Sequence, residues 1–350
     1  MNKSFDIGRL VRRNIRELVP YSSARDDFSG SASVFMDANE NPYNDPLNRY
    51  PDPAQRQLKE KIAAIKGQAT ERLFLGNGSD EGIDLLYRVL CEPGRDNVIT
   101  VDPTYGMYGV CAAINGVERR SVLLNKDFSL DPEEVIGATD RHTRMIFLCS
   151  PNNPTANALD RRAMLRIIDS VACMVVVDEA YIDFSRQKGL LDLVPEKKNL
   201  VVLQTFSKAW GLAGVRLGMV FAHRDLIGYL SRVKYPYNVN SLTLEKVQQS
   251  ISDPSAMEDW VSRILKERDR LSGQLRSLPF VKHVYPSDAN FLLVQMEHPR
   301  RVYRFLTVEG VIVRDRSSVP LCGGCLRITV GTENENRLLM DKLNEYHNGA

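Results

Sequence analysis

The chain has no apolar run approaching the roughly 20 residues that a membrane-spanning helix needs. It also has no dominant charge: 46 Lys and Arg against 44 Asp and Glu leave a formal net charge of +2. Neither nucleic acid nor an anionic membrane is therefore expected as a partner. Cysteine is sparse, and the six (Cys91, Cys111, Cys149, Cys173, Cys322, Cys325) are scattered. In a chain of 350 residues without a secretory signal, that argues against a disulfide framework. Cys322-Gly323-Gly324-Cys325 is a CxxC with no second pair and no histidine pair, so no metal site is expected and the loop reads as structural. Repeats and low-complexity tracts are absent.

An apolar fraction of 43% can fill a substantial core. The length suggests two domains, or one large domain with a satellite. In the segment 1–20, Ile7, Leu10, Val11, Ile15 and Leu18 fall at the spacing of an amphipathic helix. Its arginines resemble an organelle address, but Asp6 and Glu17 interrupt that pattern. The segment is expected to belong to the fold, and the expected compartment is the cytoplasm.

From about residue 54, short apolar runs alternate with amphipathic stretches. Strands are predicted over 98–101, 145–149, 174–177, 200–203 and 217–221, and helices over 55–65, 80–90, 160–171 and 225–232. Val/Ile/Leu runs without alternation indicate strands buried on both faces. Strand and helix in alternation indicate an α/β fold with a mostly parallel central sheet flanked by helices. The last third predicts a smaller α+β domain: helices over 256–278, 299–308 and 333–346, and strands over 291–294, 311–313 and 326–330. The composition turns polar near 238–244. The division expected is a large domain over 45–240 and a small one formed by 1–44 with 241–350.

Lys208 carries the functional reading. It sits in Thr205-Phe206-Ser207-Lys208-Ala209-Trp210-Gly211, directly after the apolar run 200–203. A lysine delivered by a buried strand into a Ser/Gly-rich turn suits an amine that forms a Schiff base with a carbonyl cofactor. Two further motifs end predicted strands. Ser150-Pro151-Asn152-Asn153-Pro154-Thr155 follows 145–149, and Asp178-Glu179-Ala180-Tyr181 follows 174–177. In open α/β sheets the ligand crevice lies at this edge, so Asn153, Asp178, Tyr181 and Lys208 are expected to converge.

Each residue type has a job at a pyridoxal-phosphate (PLP) site. Asp178 keeps the pyridine nitrogen protonated, Tyr181 and Asn153 bond the phenolic oxygen, and Lys208 moves the proton. Gly76-Asn77-Gly78-Ser79-Asp80 precedes a helix, capped by Ser79 or Asp80, whose free amides suit a phosphate. Ser207 and Arg216 complete that cradle, beside Thr205. Tyr105, after 98–101, is placed to stack on the cofactor ring. Alone, each has a plainer reading: a helix start, a core tyrosine, a cap, a turn. Together, in this order at strand ends, they point to one site.

With these motifs, the chain resembles the fold-type I PLP-dependent aminotransferases, and within them the histidinol-phosphate aminotransferases. The matching pieces include Pro20-Tyr21, Asp37-Ala38-Asn39-Glu40-Asn41-Pro42, Arg49-Tyr50-Pro51-Asp52 and Leu326-Arg327-Ile328-Thr329, and they span nearly the whole chain. The resemblance implies amine exchange between L-histidinol phosphate with 2-oxoglutarate and imidazole acetol phosphate with L-glutamate. It implies a homodimer in which Tyr50 reaches the cofactor phosphate of the other subunit. Tyr21 and Asn39 would line the substrate pocket, and Arg314 and Arg327 would hold the substrate's anionic end. The chain departs from the family pattern at Ala156, where glycine is common, and in the 322–325 loop. Two other readings remain open on the same scaffold: an aromatic amino-acid aminotransferase and a threonine-phosphate decarboxylase. A non-enzymatic PLP-binding regulator is disfavoured by the intact Lys208 and Asp178.

Overall fold

The computed structural model describes residues 5–21 and 32–349. Seven strands form the main sheet: β1 (Leu73–Asn77), β2 (Asn97–Asp102), β3 (Glu118–Leu123), β4 (Thr143–Cys149), β5 (Met174–Asp178), β6 (Leu200–Thr205) and β7 (Leu217–Ala222), in the order β1-β7-β6-β5-β4-β2-β3. From β3 through β6 all neighbours are parallel. β7 runs antiparallel to both β6 and β1. The reason is the connection between β6 and β7. It is the lysine loop, which holds only the short turn Ala213–Val215 and no crossover helix, so the chain returns alongside β6 in the opposite direction.

Residues of β5, β6 and β7 are buried throughout, as continuous apolar runs in a covered sheet require. The helix Gly78–Leu90 packs closely on β7: a Cβ on Gly82 would lie 2.4 Å from Val220 Cγ2. Among the described residues, no helix is long and apolar enough to cross a membrane.

The smaller layer is a four-stranded antiparallel sheet of β8 (Val281–Val284), β9 (Phe291–Met296), β10 (Arg314–Asp315) and β11 (Cys325–Thr329), ordered β10-β11-β9-β8. The helices Ser255–Arg276, Pro299–Val308 and Glu333–Gly349 bury their apolar sides against it. The strand predicted over 311–313 begins later. Val311 and Val313 contribute side chains to the small core, but only Arg314 and Asp315 pair with β11.

The expected division of the chain is corrected at both ends. Ile7, Leu10, Val11 and Ile15 are buried with Leu226, Ile227 and Leu230 of the helix Arg224–Val233, which lies on the main sheet. The stripe of the N-terminal segment is thus covered by the large domain, not the small one. At the other boundary, Val247 and Ile251 bury into the main core, so the helix Ser241–Ser250 also belongs to the large domain.

Candidate active site

A cavity of about 740 Å³ opens at the carboxyl ends of β4, β5 and β6. Its walls include Gly78, Ser79, Asp80, Tyr105, Asn153, Asp178, Tyr181, Thr205, Ser207, Lys208, Arg216, Arg314 and Arg327. The parallel sheet explains the convergence, because each strand delivers its last residues to the same edge.

Asp178 ends β5 and is 3% exposed. Its Oδ2 accepts from Tyr108 Oη at 2.7 Å and its Oδ1 from the Ala180 N–H at 3.1 Å. Burial pushes its carboxyl above the usual range, against the pull of these two bonds. A buried carboxylate bordering a cavity is stabilised by a cation brought to it. Tyr108 was not singled out in the sequence. Its ring stacks on Phe147 at 4.6 Å and meets Tyr105 edge-on at 5.6 Å. One aromatic layer therefore holds Asp178 and sets Tyr105 at the cavity wall.

Lys208 is half-buried, with Nζ 5.5 Å from the Tyr181 ring centroid. Burial lowers its ammonium pKa, and the Arg327 guanidinium lowers it further. Both favour the neutral amine, the form that attacks a carbonyl or accepts a proton. Ser207 N–H donates to Thr205 Oγ1 at 3.1 Å, which fixes the start of the lysine turn.

The opposite wall is built for an anion. The helix Gly78–Leu90 starts at the cavity, and its N-cap is Asn77, which makes no side-chain cap; the capping expected from Ser79 or Asp80 is not seen. Gly78 N–H donates to Arg216 O at 2.9 Å. The amides of Ser79 and Asp80, next in the first turn, have no acceptor within a helix. Arg216 adopts a left-handed backbone at φ 58°, which carries its guanidinium beside Gly78. A Cβ on Gly78 would sit 2.8 Å from Arg216 Nη2. Gly218 is just as constrained, because its Cβ would fall 2.2 Å from the backbone of Gly78 and Ser79. Arg216 lies 3.7 Å from Asp80 Oδ2, and Tyr105 Oη donates to Asp80 Oδ1 at 3.1 Å.

At the far end, Arg327 on β11 stands directly opposite Arg314 on β10. Arg327 donates to Asn153 Oδ1 and lies 5.3 Å from the Phe291 centroid. Burial lowers its pKa, with Arg314 adding to the effect. Like charges in cross-strand register are destabilising without an anion between them. Arg316 lines the same end and was missed in the sequence, where it reads as one more charge in a polar loop. Asn152 was also passed over. Its Nδ2 donates to Pro103 O at 2.8 Å and Thr155 Oγ1 at 2.7 Å, which ties the Asn153 loop to the Tyr105 loop.

Three expected residues are not brought to this cavity within the protomer. Tyr21 is 76% exposed and borders a separate cavity of about 170 Å³ with Lys59 and Lys234. Asn39 has a left-handed backbone at φ 53° and does not line the main cavity. Tyr50 is 51% exposed and stacks on Tyr237 at 4.4 Å. The 322–325 loop holds two inert thiols: burial pushes Cys322 up to about 11 and Cys325 up to about 12.

A lysine whose pKa is lowered by burial, a buried carboxylate and an amide-and-arginine cradle around one cavity fit the amine-reactive ring and phosphate of PLP, and define a PLP-dependent transferase of fold type I. Residues 28–343 match the family Aminotransferase class I and II. Over 338 residues the chain is 53% identical to the histidinol-phosphate aminotransferase of Parabacteroides distasonis, covering 97% of this chain and 98% of that one. It is 48% identical to the one from Cytophaga hutchinsonii, covering 98% and 100%. The crystal structure of the histidinol-phosphate aminotransferase from Clostridium acetobutylicum superposes with a TM-score of 0.80 at 22% identity, covering 87% of this chain and 92% of that one. The chain belongs to the class I and II aminotransferases.

Proposed function

We propose that the protein transfers the amine of L-histidinol phosphate to 2-oxoglutarate, giving imidazole acetol phosphate and L-glutamate, and that it works as a cytoplasmic homodimer. The observation that carries this reading is the pair Arg314 and Arg327, in register on neighbouring strands at the end of the cavity that holds Lys208 and Asp178. A substrate with an amine at one end and a phosphate at the other suits that arrangement. Relatives named for this activity, about half identical over nearly their full length, support it. The compartment is supported by six buried, unbridged thiols.

When bound, PLP supplies an electron-withdrawing ring that stabilises negative charge at the substrate carbon bearing the amine. The protein's residues do the rest. Asp178 would hold a proton at the ring nitrogen, and Tyr181 and Asn153 would bond the ring oxygen. Ser79, Asp80 and Ser207 offer donors to the phosphate, with Arg216 as its cation. Lys208 Nζ, in its neutral form, would act as the base that takes the proton from the substrate carbon and then as the acid that gives it back. Arg314 and Arg327 orient the substrate from its far end.

The test is turnover of L-histidinol phosphate with 2-oxoglutarate by the holoenzyme, followed as L-glutamate formed. Wild-type turnover should disappear in Lys208→Ala while the variant keeps its melting temperature. Normal turnover by Lys208→Ala removes the assignment of the site.

A further inference from the structure

Arg316 is held by its backbone independently of its side chain. Its N–H donates to Cys325 O at 2.9 Å, and its carbonyl accepts from the Val319 N–H at 2.9 Å. The side chain lines the cavity with Arg314 and Arg327, and its Nε is buried without a hydrogen-bond partner among the described residues. Burial lowers its pKa, and the guanidiniums of Arg327 and then Arg314 lower it further. Three guanidiniums thus crowd one end of the cavity. A buried, unsatisfied donor on a cation is costly unless the working state supplies an acceptor. A carboxylate carries one charge and two oxygens, and one guanidinium fork matches it. A phosphate monoester carries close to two charges and three acceptor oxygens, and can engage more donors than that.

We propose that Arg316 is a specificity-determining residue, which donates to the substrate's phosphate and sets the preference for a dianionic end over a carboxylate or an uncharged alcohol. This inference rests on the phosphate-ester reading above. Both substrates of the exchange meet the same Lys208 but differ at the far end, and Arg316 acts on that difference. Arg314 and Arg327 supply attraction for any anion, and Arg316 adds the donor that only the phosphate has an oxygen left to accept.

The experiment measures single-turnover kcat/KM of the holoenzyme with L-histidinol phosphate, L-histidinol and L-glutamate, in wild type, Arg316→Gln and Arg316→Lys. Loss of one charge-assisted hydrogen bond predicts that Arg316→Gln lowers kcat/KM for the phosphate ester by about ten- to a hundredfold. The ester-to-histidinol ratio should fall by a similar factor, chiefly through KM, and the ester-to-glutamate ratio should fall with it. Arg316→Lys keeps the charge without the fork and should recover part of the loss. If Arg316→Gln does not fold, the smaller fall in both ratios for Arg316→Lys decides the matter. Unchanged ratios, whether all substrates slow together or none does, overturn the role of Arg316. A wild type that does not prefer the ester over histidinol overturns the phosphate reading itself, and this inference with it.

Discussion

Asp178 and Lys208 face the cavity, yet part of what tunes them lies beside it. Tyr108 is the clearest case, since its hydroxyl is the side-chain donor to Asp178 Oδ2. Tyr108→Phe keeps the ring stack on Phe147 but removes that donor, so the Asp178 pKa should rise further. The expected result is a fold of wild-type stability to within about 1 kcal/mol and a kcat lower by about tenfold; a steady-state pH profile and a thermal melt check both. A variant with wild-type kcat would show that Tyr108 does not matter to the carboxylate. Sequence reasoning found Asp178 because a carboxylate ending an apolar run is conspicuous. It missed Tyr108 because a tyrosine in an apolar stretch reads as core, and only the fold shows its hydroxyl at a carboxylate separated by many residues. Arg314 and Arg327 were legible through the family resemblance, whereas Arg316 needed the cavity.

Next to Asp178, Glu179 is buried away from the chemistry, bonded by Gln204 Nε2 at 2.9 Å and by the Leu190 N–H. Burial raises its pKa from 4.5 to about 7. The folded state then holds a proton that the unfolded chain has released between those values, so this group's contribution to stability falls as pH rises through that window. Glu179→Gln removes the titration. Relative to wild type, the variant should gain stability between pH 4.5 and 7, by up to about 3 kcal/mol at the upper end. Denaturant melts across that range test this, and a pH-independent difference between the two proteins would contradict it.

At the scale of elements, the phosphate cradle depends on a close approach between β7 and the helix Gly78–Leu90. Gly218→Ala places a methyl against the Gly78 and Ser79 backbone, where no side chain can move aside. The helix start must shift, with a stability loss of about 1–3 kcal/mol and weaker cofactor retention. Dialysis of the holoenzyme against cofactor-free buffer, read by absorbance, would show faster loss; unchanged retention would mean the cradle tolerates the shift. β4, β5 and β6 were legible as unbroken apolar runs. β3 was not, because it is an edge strand with an exposed, charged pattern. β1 was hidden by the glycine turn that ends it. The antiparallel sense of β7 follows from the missing crossover helix, which a list of strands does not reveal. The apolar stripe of the N-terminal segment was legible, but it forms two short turns, Ile7–Arg9 and Arg13–Arg16, and not one amphipathic helix, with Leu18 left 39% exposed. Its partner was assigned to the wrong layer, since apolar spacing specifies a face and not what covers it.

At the scale of the whole molecule, Tyr50 is the residue whose proposed role needs a second copy. It is half-exposed in the protomer and outside its own cavity. If it serves the partner's cofactor phosphate, Tyr50→Ala and Lys208→Ala each damage every site in their own homodimers. A hybrid dimer of the two variants then carries one intact site. Co-expression should restore turnover to a pair of chains that are each impaired alone, and the absence of restoration would place Tyr50 outside the partner's site.

The most direct measurement is a single-turnover absorbance experiment on the holoenzyme, mixed first with L-histidinol phosphate and then with L-phenylalanine. Conversion of the cofactor to its amine form should be much faster with the phosphate ester, as a cavity ending in three guanidiniums requires. Faster conversion with L-phenylalanine would contradict the account and assign the same chemistry to an aromatic substrate.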